Sequence, residues 1–179
     1  MAHFLSIYTI GHSTRSLEEF IELLRRRQIQ LLIDVRTVPR SRRVPHFNSE
    51  VLARALRENG INYRHMKELG GLRKPAPNSP NIGWRNMSFR GFADYMQSES
   101  FWNGIEEARR CATENITALM CAEAVPWRCH RSLIADALLL KQAEVLHIVS
   151  ARDVRNHNLT PFTMIRGDRV IYPQSGSML

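Results

Sequence analysis

Hydrophobic and polar positions follow one another in blocks along the chain, and the blocks predict strands and helices in alternation. Short apolar runs of the kind that form buried strands occupy residues 4–10, 30–36, 61–65, 116–120 and 145–149. Between these runs, apolar residues recur at helical spacing, most clearly at Leu17, Phe20, Ile21 and Leu24. The alternation predicts an α/β fold: a mainly parallel, open sheet of about five strands with helices on both faces, a three-layer sandwich of the Rossmann-like or flavodoxin-like kind.

Local signals mark where several of these elements begin and end. The stretch from Ser16 to Glu19 is a capping box and predicts a helix start, and Asn59-Gly60 predicts a helix end. Residues 73–88 are expected to be irregular, and Gly-Asp between apolar pairs at 167–168 predicts a small hairpin. A length of 179 residues predicts one domain that spans residues 1–179.

The charge balance changes what the fold is expected to bind. Lys and Arg number 25 against 17 Asp and Glu, which gives a net charge of +8 at pH 7, and most of the basic residues are arginine. Arginine binds phosphate through two parallel hydrogen bonds, so the excess favours a nucleic acid or a phosphorylated small molecule as the partner. A basic surface that is only solvated is the alternative.

Cysteine usage and hydropathy bear on the compartment. Cys111, Cys121 and Cys129 are an odd number and form no paired framework, which predicts a reducing, cytoplasmic location. The N-terminus lacks the pattern of a secretory signal, and no apolar run approaches the roughly 18 residues of a membrane span. We therefore expect a cytoplasmic protein with no membrane partner, and the sequence leaves the oligomeric state open.

Chemically active side chains follow several of the predicted strands. Because parallel strands joined by right-handed crossovers end at one edge of the sheet, these side chains are expected to meet there. The residues placed at this edge are His12, Ser13, Asp34, Arg36, Tyr63, Cys121 and Glu123. The loop 37–47 adds Arg40, Arg42 and Phe47, and the segment that opens the last long helix adds Cys129, His130 and Arg131.

The leading hypothesis is a nucleic-acid-processing enzyme that hydrolyses the N-glycosidic bond of a modified base. Carboxylates at neighbouring strand ends are a pair that glycosyl transfer uses, so Asp34 and Glu123 are expected to face one hollow. His12 and Arg131 would hold phosphates, and an extruded base would stack on an aromatic ring. The candidate catalytic residues are Glu123, Asp34, His12 and Cys121. The candidate substrate-binding residues are Ser13, Arg36, Arg40, Arg42, Phe47, Tyr63, Tyr95, Cys129, His130 and Arg131.

Two other functions fit the same residues. One is a cysteine-dependent enzyme on a phosphorylated small molecule, since arginines beside Cys121 and Cys129 would favour a thiolate. The other is a non-catalytic module that binds nucleic acid or protein, in which Glu123 and Asp34 pair with Arg131 and Arg36.

A metal site is the least favoured alternative. Its ligands would come from Cys121, Cys129, His130 and His12. Adjacent Cys-His is not a usual zinc spacing. We therefore expect no metal and no cofactor.

Taken together and in order, five motifs resemble the domain-of-unknown-function family 488 (DUF488). They are Thr9-Ile-Gly-His-Ser, Ile33-Asp-Val-Arg, Gly60-Ile-Asn-Tyr with Leu69-Gly-Gly, Cys121-Ala-Glu and Cys129-His-Arg. The resemblance covers nearly the whole chain and implies a compact α/β fold in the cytoplasm of a bacterium or archaeon. The family has no assigned activity, and roles in nucleic-acid repair or modification have been suggested for its members. The Asp-Val-Arg motif is also similar to rhodanese domains, although the residues after Cys121 do not match the rhodanese active loop.

Overall fold

A six-stranded sheet forms the centre of the computed structural model, which describes residues 5–174. Five strands are mutually parallel, and the sixth runs antiparallel at one edge. In chain order they are β1 Leu5–Gly11, β2 Leu31–Asp34, β3 Asn62–His65, β4 Thr117–Cys121, β5 Ala143–Ile148 and β6 Val154–Asn156. The predicted mainly parallel α/β sheet is confirmed, and β6 is the strand that the apolar pattern misses.

Five helices cover the two faces of the sheet. They are α1 Leu17–Arg26, α2 Ser49–Glu58, α3 Met87–Tyr95, α4 Glu99–Glu114 and α5 Arg131–Leu140. Neighbouring strand residues face opposite sides, so Leu32 packs in the core beneath α1 and α2, and Ile33 packs in the core beneath α3, α4 and α5. Strands buried on both sides explain the continuous apolar runs in the sequence.

Strand order places the ends of three strands side by side. The order is β3-β2-β4-β1-β5-β6, so β4 lies between β2 and β1. This order differs from the two strand orders that are common in doubly wound α/β proteins. Open α/β sheets in general nevertheless bind ligands at the carboxyl ends of their strands. The segments that follow β1, β2 and β4 therefore leave the sheet next to one another.

The local signals in the sequence are largely confirmed. The Ser16 side chain accepts a hydrogen bond of 3.1 Å from the Glu19 amide and caps α1. Gly167, with φ +61°, connects a hairpin of β7 Met164–Arg166 and β8 Arg169–Ile171. Loop 37–47 is not wholly irregular, since Pro45–Phe47 forms a short 3₁₀ helix.

Beneath the sheet, a chain of buried polar groups links β1 and β5 to α5 and the tail. The Arg131 guanidinium donates to Thr9 Oγ1, which lies 2.7 Å from His147 Nδ1. Because the Asp136 carboxylate at the far end of this chain of groups accepts, both neutral imidazoles accept at Nδ1, and the Thr9 hydroxyl donates to His147. His147 Nε2 then donates to His157 Nδ1 at 3.0 Å, and His157 Nε2 donates to Asp136 at 2.8 Å. His147 is thus a hydrogen-bonded core histidine.

The neutral state of His147 predicts a pH-dependent stability. Burial lowers the pKa of His147 to about 3 from an ordinary value of 6.5. The unfolded chain therefore takes up this proton first as the pH falls below 6.5, which lowers the free energy of unfolding. Urea unfolding from pH 7 to pH 4 should show this decrease, and His147→Gln should show a shallower one. Equal pH dependence in the two proteins would contradict the assignment.

Candidate functional site

The carboxyl ends of β1, β2 and β4 open into a cavity of about 590 Å³. Residues 12–14 follow β1, residues 36–44 follow β2 and residues 121–123 include the end of β4, and all three segments contribute to the lining. Residues 128–130 at the start of α5 close one side. The volume is in the range of sites that bind small ligands, and the position is where open α/β sheets bind them.

A buried ion pair lies beneath the floor of this cavity. The Asp34 carboxylate is fully buried and accepts from Arg36 Nε at 2.9 Å and from Arg36 Nη2 at 2.6 Å. The Tyr63 hydroxyl donates to the same carboxylate at 2.8 Å. Arg36 Nη2 also donates to the Phe47 carbonyl oxygen at 2.8 Å, which ties the end of β2 to the far end of loop 37–47. The pair therefore has a positioning role for the loop.

His12 is held in one neutral form against this pair. Its Nδ1 lies 2.9 Å from the Ser13 carbonyl oxygen and must donate, while its Nε2 faces Arg36 Nη1 at 3.3 Å and must accept. Burial lowers the pKa of His12 to about 4. The ring also stacks on Phe47, with 4.3 Å between ring centroids. A neutral ring does not bind phosphate as a cation, so the expected phosphate role of His12 is not supported.

Basic side chains form one rim of the cavity. Arg40 and Arg43 come from loop 37–47, and Arg128 comes from the turn before α5. Within residues 5–174 their guanidinium groups have no hydrogen-bond or ion-pair partner, and all three are exposed. The loop itself is fixed because the Asn48 side chain accepts from the Ser41 amide at 2.7 Å. The rim therefore presents guanidinium donors without internal partners, two of them from a loop with a fixed backbone, which suits an anion.

Glu123 lines the same cavity from the segment after β4. Its carboxylate is exposed and accepts one long hydrogen bond, 3.4 Å, from the Val125 amide. The backbone is fixed by Arg131, whose Nη2 donates to the Glu123 carbonyl oxygen. Gly11 lies directly against this backbone, where a Cβ atom would overlap the Glu123 carbonyl. The backbone is therefore held tightly while the carboxylate faces the cavity.

Two cysteines and a histidine form a compact cluster at the base of the cavity. Sγ of Cys121 lies 3.8 Å from His130 Nδ1, and Sγ of Cys129 lies 3.7 Å from the same atom. The His130 Nε2 donates to the Val35 carbonyl oxygen at 3.1 Å, so a neutral His130 directs the lone pair of Nδ1 towards both sulfurs. The interaction between the two neighbouring thiols lowers the pKa of Cys129 well below its ordinary value and raises the pKa of Cys121.

The expectation that Asp34 and Glu123 face one hollow is wrong. Glu123 lines the cavity, whereas Asp34 is fully buried and bound to Arg36 and Tyr63. The reason is electrostatic: a carboxylate at a buried strand end needs a partner, and Arg36, two residues on, supplies it. The alternative pairing of Asp34 with Arg36 is confirmed. Arg131 binds the carbonyl of Glu123 and not its carboxylate.

Other predicted binding residues also have structural partners. Phe47 is fully buried, and Tyr95 donates from its hydroxyl to the Glu68 carbonyl oxygen at 2.8 Å, with the Arg73 guanidinium 3.6 Å from its ring centroid. Arg131 is 1% exposed and holds loop carbonyls, so it does not contact a ligand. Phe47, Tyr63, Tyr95, Arg42 and Arg131 are not among the cavity-lining residues.

The cavity lining includes eight of the predicted site residues and further residues that the sequence analysis did not predict. The eight are His12, Ser13, Arg36, Arg40, Cys121, Glu123, Cys129 and His130. Gly71, Leu72, Ser88 and Phe89 also line it, from the two ends of the long irregular stretch. The Gly70-Gly71 pair in the sequence could have indicated that this segment packs closely on the site. Gly71 lies directly on the His130 ring, with no room for a Cβ atom.

Removing one partner of the buried ion pair should destabilise the fold. Asp34→Asn leaves the Arg36 guanidinium buried without its counter-charge, and we expect a loss of about 3–5 kcal/mol in the free energy of unfolding. Urea unfolding followed by circular dichroism measures this change. Asp153→Asn, which removes an exposed pair with Arg155, is the matched control and should change little. Equal effects of the two substitutions would contradict the role assigned to Asp34.

Comparison with known protein families identifies the family of this chain. No curated protein and no solved structure matches the chain, and none of the helices within residues 5–174 is long and apolar enough to cross a membrane. The model of the domain of unknown function DUF488 matches residues 16–138, which include α1 to α4, the arginine-bearing loop, the Cys121–Glu123 segment and most of α5. The chain therefore belongs to the DUF488 family.

Proposed function

We propose that this protein is a nucleic-acid-processing hydrolase that cleaves the N-glycosidic bond of a modified base. The observation that carries the proposal is that three arginines without a partner among the described residues and one exposed carboxylate, Glu123, line the same cavity. Anion binding and water activation are then available within one site.

The arginine rim supplies the phosphate contacts of the proposal. Arg40 and Arg43 lie on one loop, and Arg128, from the turn before α5, lines the same cavity. Guanidinium groups that have no internal partner are available to bind backbone phosphates on either side of an extruded nucleotide. The net charge of +8 supports attraction of a polyanion over a longer range.

Glu123 takes the role of general base in the proposal. Its carboxylate is solvent-exposed at the cavity, so it can accept a proton from a water molecule that attacks the sugar carbon. The proton passes from water to Glu123 as the bond between sugar and base breaks, and the base leaves with the bonding electron pair. Asp34 takes no direct part, because its carboxylate is bound to Arg36 and Tyr63.

The base is accommodated by a different aromatic residue from those predicted. Phe89 lines the cavity and is supported from behind by Trp84, with 4.8 Å between the ring centroids. Leu72 and Val38 add apolar surface to the same lining. A flipped base would stack on Phe89, which favours an extruded nucleotide over a phosphate ester alone.

Two alternative functions predict different experimental results from this proposal. A cysteine-dependent enzyme on a phosphorylated small molecule would use Cys121 or Cys129, and it would form a covalent adduct visible by mass spectrometry of the intact protein. A non-catalytic module would bind oligonucleotides through the arginines with no release of base under any condition.

Replacing Glu123 should remove turnover and preserve binding. Glu123→Gln keeps the size and shape of the side chain but not its basicity, so base release should fall by about 10²- to 10⁴-fold. The measurement is the formation of abasic product from a panel of oligonucleotides that each carry one modified base. Glu58→Gln, on an exposed position of α2, is the matched control and should retain full activity. Turnover that survives Glu123→Gln would contradict the proposal.

Removing rim arginines should weaken binding and reduce its salt dependence. The double variant Arg40→Ala/Arg43→Ala removes two phosphate contacts, so the slope of log K against log salt should become shallower by about 0.7 per contact for a single-stranded oligonucleotide. Fluorescence anisotropy at several salt concentrations measures the slope. Two exposed arginines of α2 supply the control Arg54→Ala/Arg57→Ala. A slope that changes equally in both variants would show that binding is not localised at the rim.

A further inference from the structure

We propose that Cys121, Cys129 and His130 bind a single zinc ion at the base of the cavity. This site is independent of the proposed hydrolase activity, because it is defined by the ligand atoms and is tested with the metal alone. The three ligand atoms lie within 4.8 Å of one another. Two thiolates and one imidazole are a donor set that zinc takes in proteins.

Distances within the cluster fit a tetrahedral centre. Sγ of Cys121 and Sγ of Cys129 lie 3.8 and 3.7 Å from His130 Nδ1. Zinc–sulfur bonds of about 2.3 Å and zinc–nitrogen bonds of about 2.0 Å at a tetrahedral angle place sulfur and nitrogen about 3.5 Å apart. Each of the two sulfur–nitrogen distances would therefore shorten by only a few tenths of an ångström on binding an ion.

The imidazole of His130 is oriented as a metal ligand. Its Nε2 donates to the Val35 carbonyl oxygen at 3.1 Å, which fixes the ring and leaves the Nδ1 lone pair facing both sulfurs. Metal-bound histidines almost always donate their other ring N–H in this way, to a carboxylate, a carbonyl or a water. Gly71 packs on the ring beside Nδ1, where a Cβ atom would overlap the imidazole, so its lack of a side chain allows this orientation.

The fold overcomes the unusual sequence spacing of the ligands. Cys121 is the last residue of β4, and the chain returns to it because Arg131 holds the carbonyl groups of Glu123 and Ala124. Cys129 is extended, with φ −134° and ψ 145°, whereas His130 is helical, with φ −56° and ψ −12°. This change of backbone direction lets two adjacent residues present their side chains to one point. The start of α5 beside them favours negatively charged thiolates.

The fourth coordination position faces the cavity. All three ligands belong to the cavity lining, as does Glu123. His12, the other ligand considered from the sequence, is excluded because its Nδ1 donates to Ser13 and its Nε2 accepts from Arg36. Three protein ligands with one position open to a ligand cavity are typical of a catalytic zinc site, whereas structural sites have four protein ligands.

Zinc content and cobalt spectroscopy test the site directly. The full-length protein, purified under reducing conditions and stripped with a chelator, should bind one zinc ion per chain by elemental analysis, and should not bind Mg²⁺, which prefers oxygen ligands. Cobalt substituted for zinc should give the thiolate-to-cobalt charge-transfer absorption and the visible bands of a tetrahedral centre. Absence of zinc uptake, or a cobalt spectrum without thiolate absorption, would overturn the proposal.

Variants assign the ligands. Cys121→Ser, Cys129→Ser and His130→Ala should each weaken zinc binding by more than about 100-fold, beyond the effect of an outer-shell change. Cys111→Ser removes the remaining cysteine, which lies in α4 beside Arg64, and should leave zinc affinity unchanged. A loss of affinity in Cys111→Ser equal to that in Cys121→Ser would overturn the assignment.

One variant tests the orientation of His130 without changing a ligand. Gly71→Ala displaces the imidazole from Nδ1 contact with the sulfurs, and zinc affinity should fall by about 10- to 100-fold. Circular dichroism checks that each variant is folded, so that a loss of zinc affinity cannot be attributed to unfolding. Unchanged zinc affinity in a folded Gly71→Ala protein, together with unchanged affinity in His130→Ala, would exclude His130 as a ligand.

Discussion

The buried ion pair of Asp34 and Arg36 is the interaction on which the rest of the site depends. Two charges removed from water are tolerated only when each is fully hydrogen-bonded, and here Tyr63, His12 and the Phe47 carbonyl complete the set. Each added partner belongs to a different segment. The requirement to satisfy one buried charge therefore brings the ends of β1, β2 and β3 and the 3₁₀ turn before α2 into fixed positions.

A second constraint fixes the opposite wall of the cavity. Arg131, 1% exposed, reaches from α5 to the carbonyl groups of residues 123 and 124 and to the Thr9 hydroxyl. Gly11 allows this backbone to approach β1 without a side chain between them. The two constraints use arginine in the same manner, as a buried multidentate donor. At the rim, by contrast, Arg40, Arg43 and Arg128 have no partner within residues 5–174 and are available to an anion.

Sequence patterns predict much of the architecture, but they do not predict which charged residues form buried ion pairs and which line the cavity. Continuous apolar runs predict strands buried on both faces, and the capping box at Ser16 predicts the start of α1. Asp34 and Glu123 both lie at the ends of apolar strand segments. Only the structure shows that Asp34 is buried in an ion pair and that Glu123 lines the cavity. One signal was present: Asp34 and Arg36 are two residues apart and so lie on the same side of an extended chain. Leu72 could not be placed, because irregular segments lack a period, and Phe89 lies in the first turn of α3, which does not directly follow a strand of the sheet.

Binding of a phosphate backbone at the arginine rim is the central claim, and arginine side-chain NMR tests it most directly. Selective observation of guanidinium Nε–H signals during titration with a short single-stranded oligonucleotide reports each arginine separately. We predict that the signals of Arg40, Arg43 and Arg128 shift together and saturate, while those of Arg26 and Arg155 on the remaining surface stay unchanged. Shifts spread evenly over all exposed arginines, or confined to arginines outside the cavity, would contradict the claim.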